Sequence, residues 1–580
     1  MQQRWGLPIV AWPARLRPGL WDIVALPLVI GTIVLIGWAM KEMSVPYQAG
    51  DELPISLDPW MLPEYGLRSV LRMGIALCFS LAFSLAYAAW AAKSARAEKL
   101  LVPVLDILQS VPILGFLSIT VTGFIALFPG SLLGYECAAI FAIFTSQAWN
   151  MTFSLYQSFR AVPVELREAA RMYHLSAWET FWRLEVPYAL PNLVWNMMMS
   201  VSGGWFFVVA SEAITVAGQN TSLPGIGSYI ALAIDQRDLA AVGFAILAMG
   251  VFILIYDQLL FRPLLAWSQR FKVEAITSAE SEDAWFLTML RRAQVFRIVT
   301  FVTDIVVGRV SRLYQRIAPP RRIRIREGSH AYDRWLDIGW AALLIGGAAW
   351  TLYQVVIFAG TEVGWGEVLH VVLLGLATMA RVVVLVALAS LVWVPIGVWI
   401  GLRPAIAHRA QPVVQFLAAF PANLFFPVVV FLIVQFQLNV EIWVSPLMIL
   451  GTQWYILFNV VAGTLALPTD YRLVASNLGV SRWLWWRRLI LPAIFPAYVT
   501  GAVTACGGSW NAAIVAEVVK WGDTQLVATG IGAYIADNTQ TGDFPRIALG
   551  ITVLALFVLA FNGLVWRRLY NLAEERLRLD

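Results

Sequence analysis

Apolar runs dominate this chain. Residues 21–40, 239–261, 335–358 and 546–566 are continuous apolar stretches, each long enough for a hydrocarbon core that takes about 20 helical residues to cross. None shows the every-second-residue alternation of barrel strands, so the backbone's need for internal hydrogen bonds predicts helices. The pattern predicts about twelve spans, near 21–40, 68–92, 100–128, 136–157, 192–215, 239–262, 335–358, 368–402, 412–435, 441–463, 494–519 and 546–566. The segments starting near Arg68 and His370 exceed one span, and their first turns, up to Arg72 and Arg381, are expected along the outer surface. The first apolar run leads into Met40-Lys41-Glu42 with no small-residue cleavage pattern, so it reads as a span and not a cleaved signal. The predicted fold class is all-α and polytopic.

Composition agrees with a bilayer solvent: of 580 residues, 59% are hydrophobic and 13% charged, with a mean hydropathy of +0.71, values outside the soluble range. The net charge of +5 invites a nucleic-acid partner until its placement is examined. On one side of the predicted spans lie residues 1–20, 93–99, 158–190, 263–334, 403–411, 464–493 and 567–580, which hold 33 of the 41 Lys and Arg. The opposite loops hold Lys41, Arg237, Lys520 and Arg546. The positive-inside rule then puts both termini in the cytoplasm of a bacterial inner membrane, and the basic balance is orientation, with no nucleic-acid partner implied. Cys78, Cys137 and Cys506 fall in or beside apolar segments without ligand-like spacing, and the four histidines are scattered, so neither disulfide nor metal site is expected.

The chain repeats itself. At an offset of 305 residues, Ala161-Val162-Pro163 returns as Ala466-Leu467-Pro468 and Leu184-Glu185-Val186-Pro187 as Leu489-Ile490-Leu491-Pro492. Gly203, Trp205 and Glu212 return as Gly508, Trp510 and Glu517, and Gly225-Ile226-Gly227-Ser228-Tyr229-Ile230 as Gly530-Ile531-Gly532-Ala533-Tyr534-Ile535. Upstream the offset is 309, pairing Arg72 with Arg381 and Pro112 with Pro421, which implies four extra residues near 129–135. Two copies of one cytoplasmic loop require an even number of spans between them, so the architecture is two parallel six-helix repeats with a pathway between halves. The domain reading is 1–262 and 335–580 as two transmembrane permease domains. Residues 263–334, with 13 basic residues, read as a cytoplasmic linker: an interfacial amphipathic helix over 295–308, then the basic run 319–326.

Each half carries a cytoplasmic loop of about 30 residues between its fourth and fifth spans. The first reads Glu168-Ala169-Ala170-Arg171-Met172-Tyr173-His174, nine residues, then Leu184-Glu185-Val186-Pro187. In that motif and spacing the chain resembles the permease subunits of binding-protein-dependent ABC importers, whose loop is E-A-A-x-x-x-G, nine residues, then I-x-L-P. Physically the loop suits a docking peg: two short helices meet at a turn of positive φ, small alanines admit close approach, and Glu168 can pair with a cation. The ATPase-coupling candidates are Glu168, Ala169, Ala170, His174 and Pro187, with Leu473, Ala475, Gly479 and Pro492 in the second copy. The copies depart from the motif in opposite ways, His174 replacing the glycine in the first and Leu473-Val474-Ala475 replacing Glu-Ala-Ala in the second, and unequal docking is the expectation. A loop lying on the membrane surface is the competing reading, consistent with Trp178, Trp182, Trp483, Trp485 and Trp486.

The likeness extends over nearly all of both halves and is nearest to the nitrate, sulfonate, taurine and bicarbonate type of permease. It implies two cytoplasmic ATPase subunits and an external binding protein as partners. The chain has no G-x-x-x-x-G-K-[ST] phosphate loop, so ATP and Mg fall to those partners, and the chain is expected to hold no cofactor and to be no enzyme. Pathway candidates are Gln147, Asn150, Trp205, Glu212, Gln453, Trp510, Asn511 and Glu517. Counted at about 1.5 Å per residue, Glu212 and Glu517 fall near the outer mouth, as gate residues or as carboxylates capped by loop amides. The amides serve a solute or interhelical hydrogen bonding. Compatible solutes such as quaternary amines are an alternative cargo, and an ion-coupled secondary transporter is a more distant alternative, which would place ionisable coupling residues at midplane.

Overall fold

The computed structural model describes residues 22–43, 45–46, 55–216, 219–271, scattered positions between 339 and 361, and 363–576. The span at 335–358 is described only at scattered positions. The helix expected at 295–308, the basic run 319–326, and Asp51 and Glu52 of the first outer loop lie outside the described residues. The chain divides into two compact units: of the described residues, 22–42, 161–194 and 256–271 form the first, and the remainder the second.

Among the described residues six helices are long and apolar enough to cross a membrane, or eight if two bent pairs each make one span. The main difference from the predicted spans is where helices break. The run 100–128 is two helices, Ala95–Ser110 and Ile113–Leu127. Likewise 412–435 is Pro404–Ala419 followed by Ala422–Gln435, bent by 76°. Both breaks have one cause. A proline disfavours the helical region for its predecessor, and Val111 (ψ 125°) and Phe420 (ψ 126°) are extended before Pro112 and Pro421. The tenth span is also broken, between Val440–Met448 and Gln453–Leu465, by 47°.

The long segments are corrected in the opposite sense. Leu62–Lys93 and Trp365–Gly401 are single unbroken helices of 32 and 37 residues, so their first turns continue the helix axis and form no separate surface segment. Arg72 is fully buried. The fifth and eleventh spans end at Glu212 and Ala516. There the chain turns into antiparallel hairpins, Ala213–Val216 with Gln219–Ser222 and Val518–Trp521 with Thr524–Val527, which apolarity alone had assigned partly to helix.

The 305-residue register holds in backbone detail. Five-residue π turns occupy Phe181–Glu185 and Trp486–Ile490, and again Asp257–Phe261 and Asn562–Trp566. Within the second unit the halves interlock. Trp195 stacks on Phe458 with ring centroids 5.4 Å apart, and the Gly522 N–H donates to the Ile234 carbonyl at 3.0 Å.

Candidate functional site

The coupling loops are built by local chemistry. Pro163 and Pro468 open the helices Val164–Met172 and Thr469–Asn477 at nearly the same dihedrals, φ −56° with ψ 144° and 138°. Each helix then needs a left-handed residue to turn the chain back onto its orphan carbonyls. His174 supplies it in the first loop at φ 54° and Gly479 in the second at φ 58°. The amides that follow close the turns, Leu175 to the Ala170 carbonyl and Val480 to the Ala475 carbonyl, both at 3.1 Å. Histidine therefore takes the conformation that the motif's glycine is there to supply.

The next short helices start at Ser176 and Ser481, whose hydroxyls cap Glu179 and Leu484. Glu179 closes a full capping box. The Ser176 backbone N–H donating to it holds its carboxyl below the usual range. Of the residues predicted for coupling, Glu168, His174, Leu473 and Gly479 are exposed, Ala170 is buried, and Ala169, Pro187, Ala475 and Pro492 are half-buried.

A second pair of sites lies at the far ends of the same spans. Arg72 meets Glu136 through two bonds, Nε to Oε2 at 2.6 Å and Nη2 to Oε1 at 2.7 Å. Its remaining nitrogen donates to Glu212 at 2.7 Å and to the Pro224 carbonyl at 2.9 Å. Glu212 further accepts from the Ser69 hydroxyl (2.6 Å) and the Gly227 N–H (2.7 Å). In the second half Arg381 holds Glu517 at 3.2 Å and donates to the Thr529 carbonyl at 2.6 Å. It also pairs with Glu441. Glu517 accepts from Thr378 and from the Gly532 N–H, each at 2.7 Å. Each glutamate thus accepts an N–H from the first turn of the helix that follows, Ile226–Asp235 or Ile531–Thr541, and the glycines of Gly-Ile-Gly make room for that approach. A Cβ on Gly225 or Gly530 would overlap the glutamate carboxylate, and one on Gly227 or Gly532 the backbone carbonyl of Val209 or Ala513. Sequence reasoning singled out the glutamates and Arg72/Arg381 but missed Ser69, Thr378, Glu136 and Glu441. A signal was present: Glu136 and Glu441 are 305 apart, and Ser69 and Thr378 share the 309 register of the arginines.

The other pathway candidates are engaged between helices. Gln147 donates to the Met73 sulfur and Asn150 to Ser200, each at 2.9 Å. Trp205 and Trp510 are buried. The Gln453 oxygen accepts from Trp393 Nε1 at 2.9 Å. Asn511 reaches across to the other half, where its oxygen accepts from the Ile113 N–H at 2.9 Å, the start of the helix after the Pro112 break. Asn423, just after the Pro421 break, donates to the Phe206 carbonyl at 3.2 Å.

Between these contacts lies a cavity of about 370 Å³ lined by both halves. Its walls pair across the repeat, Leu114 with Asn423, Ala210 with Val515 and Ala213 with Val518. None of the eight predicted pathway residues lines it, although Ala210, Ala213, Val515 and Val518 are close sequence neighbours of Glu212 and Glu517. Among the described residues Lys520 is the one lysine or arginine on its wall, and Asp235 is within electrostatic reach of that lysine.

Comparison with known proteins places this geometry. The family described as "Binding-protein-dependent transport system inner membrane component" matches residues 80–262 and again 393–579, together more than half the chain. The bicarbonate transport system permease protein CmpB of Synechococcus elongatus is 29% identical over 190 residues, 33% of this chain and 65% of that protein. The nitrate import permease protein NrtB of Leptolyngbya laminosa is 29% identical over 189 residues, 33% of this chain and 64% of its own length. The glycine betaine/proline betaine transport system permease protein ProW of Escherichia coli is 28% identical over 227 residues, 38% of this chain and 60% of its own. The chain thus spans just under two thirds of the length of the bicarbonate and nitrate relatives.

Proposed function

This chain belongs to the binding-protein-dependent transport system inner membrane component family, and from that premise we propose that it is the permease of an ATP-driven importer with both halves of the pathway in one polypeptide. It is a multi-pass protein of the inner membrane and a transport component by family. The observation that carries the reading is the duplicated loop, whose turns at His174 and Gly479 differ by only a few degrees in φ. Two ATPase subunits dock there, through Glu168, Ala169, Ala170, His174 and Pro187 on one side and Leu473, Ala475, Gly479 and Pro492 on the other. ATP and Mg reside on those subunits. An external binding protein delivers cargo to the opposite face, and both termini are cytoplasmic. The permease domains are 1–262 and 335–580, joined by 263–334.

The cargo in this proposal is a small anion of the nitrate, sulfonate or bicarbonate kind. Its support is the naming of the CmpB and NrtB relatives together with Lys520 on the wall of the shared cavity, since a cation in a confined, largely apolar site favours an anion. The betaine relatives favour quaternary amines as the second reading. Glu212, Glu517, Gln147, Asn150, Trp205, Gln453, Trp510 and Asn511 then shape the walls and ends of the pathway and bind no cargo directly. The test is to purify the chain with its ATPases and binding protein in lipid and measure which solutes stimulate ATP hydrolysis. Nitrate, a sulfonate or bicarbonate should do so, and Lys520→Gln should raise the KM for that anion severalfold. Stimulation by betaines alone would replace the anion by the amine. Transport driven by an ion gradient with no ATPase in the complex would end the importer reading.

A further inference from the structure

The two coupling loops share a backbone but not a surface. Residues 161–190 carry four acids and three arginines, for a net charge of −1, whereas the matching residues 466–495 carry one acid and four arginines, for +3. The substitutions are not scattered. Glu168, Glu179 and Glu185 of the first loop stand where the second has Leu473, Leu484 and Ile490, and Ala177 and Trp182 where it has Arg482 and Arg487.

On the first helix of each loop the difference falls on one face. Residues 165, 168 and 171 share that face by their three-residue spacing, and there the first loop exposes Glu165, Glu168 and Arg171. The second loop exposes Asp470, Leu473 and Ser476 at the matching places. Leu473 is 60% exposed, and beside it Val474 and Leu478 are 54% and 74% exposed. At the middle of that face one helix offers the charge of Glu168 and the other the apolar Leu473 and Val474, while both expose apolar side chains near the turn, Met172 and Tyr173 in the first loop and Leu478 in the second.

Building on the importer reading above, we infer that the two loops are matched to two different ATPase subunits. The first fits a groove with a cation opposite Glu168; the second fits a groove with an apolar floor and an acidic rim facing Arg482, Arg487 and Arg488. The chemistry disfavours one groove serving both. A groove cation that pairs with Glu168 meets Leu473 at the second loop and is stranded there. Removing one partner of a buried, hydrogen-bonded charge pair weakens an interface by about 30-fold or more. A groove floor that accepts Leu473 and Val474 would conversely have to desolvate Glu168 without a partner. The matching backbone turns mean that the subunits approach the loops in the same way, so the difference is one of side-chain chemistry alone.

The sign of two reciprocal substitutions tests this in the full chain reconstituted in lipid with its co-purified ATPases. Glu168→Leu should weaken ATPase binding about 30-fold or more at low salt, and the defect should shrink as salt rises because an ion pair has been removed. Leu473→Glu should also weaken binding, since it puts a charge on an apolar floor. If Leu473→Glu instead tightens binding, both loops face the same cation-bearing groove and the proposal is overturned. A photo-crosslinker at Met172 or Asn477, exposed positions 305 apart, supplies an independent readout. Each should capture an ATPase of different sequence. Capture of one sequence with equal yield from both positions overturns the proposal, as does capture of lipid alone from Asn477, which would make the second loop a membrane-surface element. Absence of ATPase from both adducts and from the purified complex would remove the importer reading itself, an outcome distinct from either of those.

Discussion

The arginine–glutamate clusters of the two halves show how far a repeat can diverge while its scaffold stays in register. Both join an arginine of the second span or its counterpart to a glutamate at the end of a later span and to a glutamate 305 residues from its equivalent. In the first half all three side chains are at most 1% exposed. In the second, Arg381 is 16% and Glu441 46% exposed, while Glu517 remains buried. One matching position differs in the donors that it offers. Where the second half has Thr529, whose N–H and hydroxyl both donate to Glu441 at 2.9 and 2.7 Å, the first has Pro224, which has no N–H to donate. Glu136 therefore takes both of its strong bonds from Arg72 in a fork, and the cluster closes on itself. A buried fork and a half-hydrated pair hold the same backbone at different risk.

The largest expected effect follows from that contrast. Arg72→Ala strands Glu136 and Glu212 in the interior, and the protein should lose about 3–5 kcal/mol, the usual result of breaking a buried pair from one side. Arg381→Ala leaves Glu441 free to hydrate and buried Glu517 with its bonds from Thr378 and Gly532, and the loss should be about 1–3 kcal/mol. Thermal unfolding of both variants in the same detergent checks the pair, and equal losses would contradict the burial argument.

Glycine substitution probes what the halves share. Gly227→Ala and Gly532→Ala each drive a Cβ onto a carbonyl of the preceding span and should cost about 1–3 kcal/mol by overpacking, alike in both halves. A difference of more than a factor of two in unfolding free energy would show that the clusters do not constrain the Gly-Ile-Gly helices equally.

The coupling turns should respond less. Gly479→His places a side chain at φ 58° and is expected to cost about 1 kcal/mol of local stability, read as faster hydrogen exchange at the Val480 amide. His174→Gly should slow exchange at Leu175, or leave it unchanged if the gain in backbone freedom of the unfolded chain offsets the relief.

The smallest effect is a pH dependence confined to one loop. Glu179 is held below its usual carboxylate range by the Ser176 N–H, so its capping box stabilises the loop above the unfolded pKa. That stability is lost as pH falls through the depressed folded value. Glu179 is half-buried at the edge of the loop, and the loss should be only a few tenths of a kcal/mol. Exchange at the Ser176 amide should accelerate, relative to the intrinsic rate, on acidification; Ser481, followed three residues later by Leu484, should show no such step.

The helical, polytopic class was legible because span-length apolarity is a local property, and so was the parallel repeat, because homologous segments keep their spacing. The coupling turns were legible too, down to the left-handed position taken by His174, since a tight turn is decided by a handful of neighbouring residues. Less of the arginine–glutamate site was. Glu212 and Glu517 stand out as acids at the end of apolar helices, but whether each faces a gate or a partner is not written in its neighbourhood.

Breaks at Pro112 and Pro421 were readable in principle from the prolines themselves, yet continuous apolarity across them favoured unbroken spans. The hairpins after Glu212 and Ala516 lay hidden for the same reason, as apolar residues continuing a helix and apolar residues starting a strand look alike over four positions.

By itself, then, the sequence determined the helices, the doubling of the fold and the backbone of both loop turns, each of which depends on residues near in the chain or on a spacing kept between copies. Only the tertiary structure decided that Arg72 meets Glu212 across 140 residues, that Asn511 of one half caps a broken helix of the other, and that a cavity with Lys520 on its wall opens between them. Those contacts depend on how helices pack, and packing is set by the summed fit of many side chains rather than by any segment's own pattern.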